Sequence, residues 1–413
     1  MDASTASVLG DLLHDPWFQL TFLLVVSLFA SFLFARFGQP KVIGYIVVGV
    51  VIGGSVLGII ESPIDGGGGT EPAESTPAWA LAKLGSIILM FMIGLQCELK
   101  EIYSRRSIVI ALGGVLLPWV AGYYTANLMG YGEPESVFIG AALVATSVAI
   151  TASVMSELGM VGTPVAYALL GAAVIDDILG MIVLAISGGI AAETLDYIEI
   201  LMLGVAAVAF IAVAGFVGSR YITKLVFQVQ VSGYRRKLPM SGFVLALSVA
   251  FLFAFISESI GISAIIGAFV AGTVFSGSAL RDGLLKGSTY LEALFVPLFF
   301  VSLGTEVDIG EIWGAIVFAV ILIAVAIVSK MAGCAIPARA TGMSFWDSMA
   351  VGVGMTPRLE VALVIAYYGL TANIIGPDIY SVVVFMGLAT AIFSPLLIKR
   401  IMLRGGHPVD LSA

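Results

Sequence analysis

The sequence predicts an all-α membrane protein of thirteen transmembrane helices, six in each of two halves with one linking helix between them. Three observations carry that expectation. Of the 413 residues, 60% are apolar and only 11% are charged, whereas soluble domains hold about 45–50% and about 25%. The apolar residues gather into runs near the roughly 20 residues that a bilayer requires of a helix, and the mean hydropathy of the chain is +1.09. The basic residues fall in alternate joins between those runs, the charge asymmetry of a multi-span protein. This composition excludes an ordinary cytosolic enzyme, a disordered protein and a nucleic-acid binder, and it makes lipid the solvent for most of the chain.

In chain order the first half has runs near 17–36, 41–60, 79–97, 106–129, 136–157 and 163–190, giving a first repeat over about 17–190. A linking span follows near 197–219. The second repeat, about 240–402, has runs near 240–258, 262–279, 289–304, 312–336, 345–370 and 378–402. The short joins at 36–41 and 258–262 predict tight helical hairpins, whereas the basic stretch Lys224–Lys237 predicts a loop dividing the halves. Gly66–Gly69 and the polar residues after it read as a flexible outer loop. Met1–Pro16 carries Asp2, Asp11 and Asp15 but no Lys or Arg. A signal peptide opens with positive charge, so the first run is expected to be a permanent span. Six spans, a linker and six spans is the count an inverted repeat requires, because the odd helix flips the second half.

Sixteen of the 19 Lys and Arg residues lie in alternate joins or the tail: Arg36 and Lys41; Lys100, Arg105 and Arg106; Arg220, Lys224, Arg235, Arg236 and Lys237; Arg281 and Lys286; Arg339; and Lys399, Arg400 and Arg404. The opposite joins carry Glu61, Asp65, Glu71, Glu74, Glu133, Glu135, Glu193, Asp196, Glu306, Asp308 and Glu311. The expected orientation therefore has the N-terminus outside and the C-terminus in the cytoplasm. One join on the basic side, Glu157–Gly162, has no basic residue. The net charge of −8 hides this separation of signs. Cys97 and Cys334, the only cysteines, have no ligand-like spacing and predict neither a disulfide framework nor a metal site. His14 and His407 lie near the termini, so intramembrane chemistry falls to other groups.

The remaining cations are Lys83, Lys330 and Arg358. Lys83 sits near a helix end, from which its stem can snorkel to the interface. Lys330 and Arg358 fall well inside apolar runs, as do Asp176, Asp177 and Glu360. An ionisable group at mid-bilayer costs about 2.5–3.5 kcal/mol on the insertion scale, so each is a functional candidate that needs a partner. Asp176 stands 13 residues from both Thr163 and Gly189. Neighbouring residues on a helix point about 100° apart, so the two aspartates face different surroundings, one suited to a wet cavity and one to a buried cation.

Two spans also look broken. Thr146, Ser147, Thr151 and Ser153 crowd one mid-span segment; Gly352, Gly354 and Pro357 loosen another. Each is the fifth span of its half. Interrupted helices at matching positions point to a transporter ion site, since freed carbonyls and helix ends can ligate ions.

These residues resemble a known group. Val174–Leu184, with its adjacent aspartates, looks like the Asp-Asp motif of NapA-type sodium/proton antiporters in the monovalent cation:proton antiporter superfamily. Thr146–Thr151, Lys330–Met331 and Gly354–Val361 are similar to the first broken helix, the lysine segment and the second broken helix of that group. Leu359 departs from the pattern, which usually has Gly there. The resemblance covers nearly the whole chain and implies an NhaA/NapA-like fold with two crossing broken helices. It also implies a homodimer with a dimerisation domain and a mobile core. By residue, it makes Asp177 the Na⁺- and proton-binding carboxylate, Asp176 the partner of Lys330, and Thr151 a neighbour of the ion. Asp176 could add a further oxygen to Na⁺. Arg358 and Glu360 become structural or charge-balancing residues.

The expected activity is electrogenic exchange of Na⁺ or Li⁺ for protons across the cell membrane, with no cofactor and no enzymatic reaction. A carboxylate starved of water can hold a proton or a cation but not both well. If Lys330 pairs with Asp176, arrival of Na⁺ would release the lysine proton, making two protons per Na⁺. A Kef-like potassium/proton exchanger is the alternative; those relatives commonly carry Gln-Asp, and no nucleotide-binding domain follows residue 404 here. A channel is a weaker alternative. An aspartyl protease is disfavoured, because its two carboxyls must converge from separate helices to share a proton.

Overall fold

The computed structural model describes residues 15–54, 56–59, 77–97, 104–191, 197–305 and 315–405. The Gly66–Gly69 loop, both histidines, Lys100 and the acids Glu61, Asp65, Glu71, Glu74, Glu193, Asp196, Glu306, Asp308 and Glu311 lie outside these residues. The described chain is helical. In order it runs α1 (Pro16–Arg36), α2 (Lys41–Ile52), α3 (Pro77–Leu95), α4 (Arg105–Leu128), α5 (Glu133–Ala142), α6 (Val148–Glu157), α7 (Pro164–Ala191) and α8 (Tyr197–Val217). Then follow α9 (Thr223–Arg235), α10 (Ser241–Ser259), α11 (Ala264–Ser276), α12 (Arg281–Thr305), α13 (Ile316–Ala340), α14 (Phe345–Gly354), α15 (Glu360–Thr371) and α16 (Pro377–Arg404). Among the described residues, 8 helical stretches are long and apolar enough to cross a membrane; α2, α6, α11 and most of α3 and α15 are shorter apolar pieces.

Local chemistry sets the helix ends. Asp15 accepts hydrogen bonds from Trp17 N at 2.9 Å and Phe18 N at 3.0 Å, and Pro16 follows it at the first helical position. The expected hairpins form, with Gly38 at φ +61° between α1 and α2 and Gly261 at φ +83° between α10 and α11. Three expectations shift. The run from 41 is helical only to Ile52, where Gly53 ends it. The segment 224–237 is mostly helix: α8 passes through a π-helical turn, Gly218–Ile222, into α9, whose charges lie on the exposed side. Helix α12 begins at Arg281 instead of near 289, and the Arg281 Nε donates to Leu95 O at 2.9 Å.

Glycines let helix backbones touch at three crossings. A Cβ at Gly49 would lie 2.1 Å from Val301 O, joining α2 to α12 beside Gly304. One at Gly94 would lie 2.3 Å from Phe269 O, joining α3 to α11 beside Gly272, and one at Gly113 would lie 2.2 Å from Gly333 O, joining α4 to α13. Small residues at such crossings permit the close packing on which helix association in lipid depends.

Candidate functional site

Helices α5 and α6 are separated by residues 143–147, and α14 and α15 by residues 355–359. These interruptions bond to one another. Ser147 N donates to Pro357 O at 2.7 Å. The Thr146 hydroxyl donates to Met355 O at 3.3 Å, and the Thr151 hydroxyl to Gly354 O at 2.6 Å. The Arg358 Nε donates to Ala145 O at 3.2 Å. Each break frees backbone groups that lipid cannot satisfy, and the other break answers them. The Ser147 hydroxyl also accepts from Ile150 N at 3.3 Å, capping α6.

Helix α7 carries both aspartates beside this junction, Asp176 fully buried and Asp177 only 4% exposed. Lys330 of α13, also fully buried, donates from Nζ to Asp176 Oδ1 at 2.6 Å and to Val144 O at 2.7 Å. The ammonium thus ties α7 and α13 to the first interruption. Thr146 and Arg358 also border Asp176. Two sets of buried polar atoms at the junction have no hydrogen-bond partner among the described residues: Asp176 Oδ2, and the Nη1 and Nη2 of Arg358. Arg358 is fully buried. Glu360 opens α15, and its side chain lies outside the description.

The expected site residues Thr146, Ser147, Thr151, Pro357 and Arg358 therefore meet at one junction, and Lys330 joins it to Asp176. Leu359 has φ −145°, a negative value that does not demand glycine, and its side chain packs toward Gly387 of α16. Lys83 pairs with Glu258 at a partly exposed position, which suits a helix-end residue.

Sequence reasoning missed two participants. Thr390 of α16 accepts from Arg358 N at 3.1 Å, and Ser394 donates to Val353 O at 2.6 Å. Their signal was two hydroxyls in the middle of the last span.

Comparison with known proteins shows the family. The family model described as "Sodium/hydrogen exchanger, transmembrane" matches residues 23–404. The chain is 35% identical over 387 residues to the Na(+)/H(+)-K(+) antiporter GerN of Bacillus cereus, covering 93% of this chain and 95% of the relative. It is 32% identical over 387 residues to a Na(+)/H(+) antiporter of Enterococcus hirae, covering 92% and 96%. In fold it is similar to the sodium proton antiporter MjNhaP1 of Methanocaldococcus jannaschii, with a TM-score of 0.66 over 94% of this chain and 97% of the other at 17% identity. A bundle of apolar helices with a buried ion pair beside two interrupted helices, matched along nearly its whole length by this family, belongs to the sodium/hydrogen exchangers of the cation:proton antiporter superfamily.

Proposed function

We propose that the protein is a NapA-type antiporter that exchanges Na⁺ or Li⁺ for protons electrogenically, by alternating access around Asp177. The observation that carries this reading is the buried Asp176–Lys330 pair next to Asp177, placed where two interrupted helices meet. Among the described residues no three His, Cys, Asp or Glu side chains cluster, so an alkali ion at Asp177 would draw its other oxygens from Thr151, Asp176 and carbonyls of the interruptions. Among the described residues, the buried charged side chains Asp176, Asp177, Lys330 and Arg358 are formally two acids and two bases. An alkali cation beside Asp177 adds one positive charge in a low-dielectric setting, which favours loss of a proton nearby.

The architecture we attach to this reading has thirteen spans in two inverted repeats, with the N-terminus outside and the C-terminus in the cytoplasm. Matched contacts support the repeat: α2 meets α12 and α3 meets α11 through glycine pairs, and those two contacts exchange if α1–α7 are overlaid on α10–α16. The assembly we propose is a homodimer in which a core bearing the interruptions moves against a dimerisation domain. The name of GerN includes K⁺, so K⁺/H⁺ exchange is the second reading.

The test is intravesicular pH in proteoliposomes on addition of Na⁺, Li⁺ or K⁺. Alkalinisation or acidification driven by Na⁺ and Li⁺, with a membrane current under a Na⁺ gradient, is the expected result. A response to K⁺ alone selects the second reading, and exchange without current removes the electrogenic element. Asp177→Asn abolishes exchange; wild-type exchange by that variant removes Asp177 from its role.

A further inference from the structure

The turn between α1 and α2 is gripped from two sides by charged side chains. Glu157, the last residue of α6, accepts from the first two amides of α2: Lys41 N to Oε2 at 2.6 Å and Val42 N to Oε1 at 3.2 Å. The ammonium of Lys399, near the end of α16, donates to the carbonyl of Gly38 in the same turn. A carboxylate takes the N–H groups and an ammonium takes the C=O, so the polarity of each grip matches its target. First-turn amides have no partner within their own helix, which makes the α2 amides dependent on Glu157.

The gripping helices are the ones joined to the interruptions. Helix α6 begins at the Ser147 cap and carries Thr151. Helix α16 supplies Thr390 to Arg358 N and Ser394 to Val353 O. Helix α2, by contrast, is seated on α12 through Gly49 and Gly304. Glu157 and Lys399 therefore bridge the segment that holds the interruptions and the α2–α12 pair. Around Glu157 the charged and titratable neighbours are Lys41 and Tyr45 of α2 and Glu292 of α12, so this carboxylate adjoins groups on both helices of that pair.

We propose that Glu157 and Lys399 are positioning residues that clamp the ion-site helices onto the α1–α2 turn, and that the clamp opens whenever the site changes the side to which it is exposed. The inference rests on the alternating-access reading above. It places the control of that change six residues from Thr151 along α6, outside the ion site itself.

The full-length protein in lipid, with Glu157→Gln, Glu157→Ala and Lys399→Met, tests the clamp by two readouts. Hydrogen–deuterium exchange over residues 39–46 reports the grip directly. Loss of a hydrogen bond to a charged acceptor is expected to speed exchange at Lys41 and Val42 by about tenfold in Glu157→Ala. Glu157→Gln, which keeps the shape and an oxygen acceptor, falls in between. Na⁺-driven pH change in proteoliposomes reports the consequence: each variant shifts the half-saturating Na⁺ concentration by about threefold or more, because the balance between two states has moved. Unchanged amide exchange in Glu157→Ala overturns the clamp. So does faster amide exchange accompanied by wild-type half-saturation and maximal rate in all three variants, since the contact would then be only a helix cap. If the wild-type protein does not exchange cations for protons, the proposed function fails instead, and the amide readout identifies that case because it does not depend on transport.

Discussion

Gly114 of α4 offers a sharp test of how tightly the buried ion pair is packed. A Cβ at this position would lie 2.6 Å from the Cys334 Sγ but 3.6 Å from both Asp176 Oδ1 and Lys330 Cε. The second distance is ordinary contact and the first is a collision, so the methyl of Gly114→Ala is tolerated by the ion pair and opposed by the thiol alone. Overpacking of this kind costs about 1–3 kcal/mol, offset by the roughly 1 kcal/mol that Ala gains over Gly inside a helix. Gly114→Ala is therefore expected to destabilise by up to about 2 kcal/mol. Cys334→Ala removes the opposing atom, and the double variant returns close to the wild type with a favourable coupling of about 0.5–3 kcal/mol. Gly113→Ala is the control. Its methyl would stand 2.2 Å from the Gly333 carbonyl, a backbone atom that no side-chain truncation relieves, so it is the more damaging change and Cys334→Ala does not rescue it. Thermal unfolding of the wild type, the three single variants and the two doubles with Cys334→Ala, with Na⁺ exchange in proteoliposomes alongside, reads all of this. Additivity of Gly114→Ala and Cys334→Ala within about 0.5 kcal/mol, or rescue of Gly113→Ala, refutes the packing argument.

Other perturbations separate the remaining contacts. Lys330→Met leaves Asp176 buried without its cation, a change worth up to about 3–5 kcal/mol in a lipid-free interior; Asp176→Asn added to it restores part of the lost thermal stability, and a single variant as stable as the wild type contradicts the pair's role in packing. Thr151→Val keeps the volume but deletes the donor to Gly354 O, costing about 1–3 kcal/mol and raising the half-saturating Na⁺ concentration; an unaltered Na⁺ response would clear Thr151 of any part in binding. Lys83→Ala is expected to cost less than about 1 kcal/mol, because its pairing with Glu258 is partly exposed, and a large fall in unfolding temperature would show that the pair is structural.

Much of the fold was legible because lipid imposes a length and an apolar composition that can be counted along the chain. The limits appear where charge and helix coincide. Arg220 and Lys224 suggested that the linking helix stops near 219, yet a helix can carry charge on an exposed side, and Thr223 holds it in register by donating to Gly218 O and Val274 O. Arg281 and Lys286 misplaced the start of α12 in the same way. At the site, Lys330, Asp176 and Arg358 stood out because charge inside an apolar run is costly. Thr390 and Ser394 did not. A hydroxyl in a buried helix commonly bonds its own turn, as Thr390 does to Gly387 O, and only the tertiary fold shows that the same oxygen also receives Arg358 N. Glu157 was hidden for a related reason: its partners are backbone amides 115 and 116 positions away in sequence, and amides leave no trace in residue identity.

The reciprocal bonding of the two interruptions has a mechanical result. Pulling Ser147 away from Pro357, or Thr151 away from Gly354, would strand a buried amide or carbonyl without its partner. Neither gap can yield while its counterpart stays put. Displacement of the pair as one stiff block is therefore cheaper than loosening either half, and whatever hinges this molecule possesses must lie at the block's edges and not at its centre.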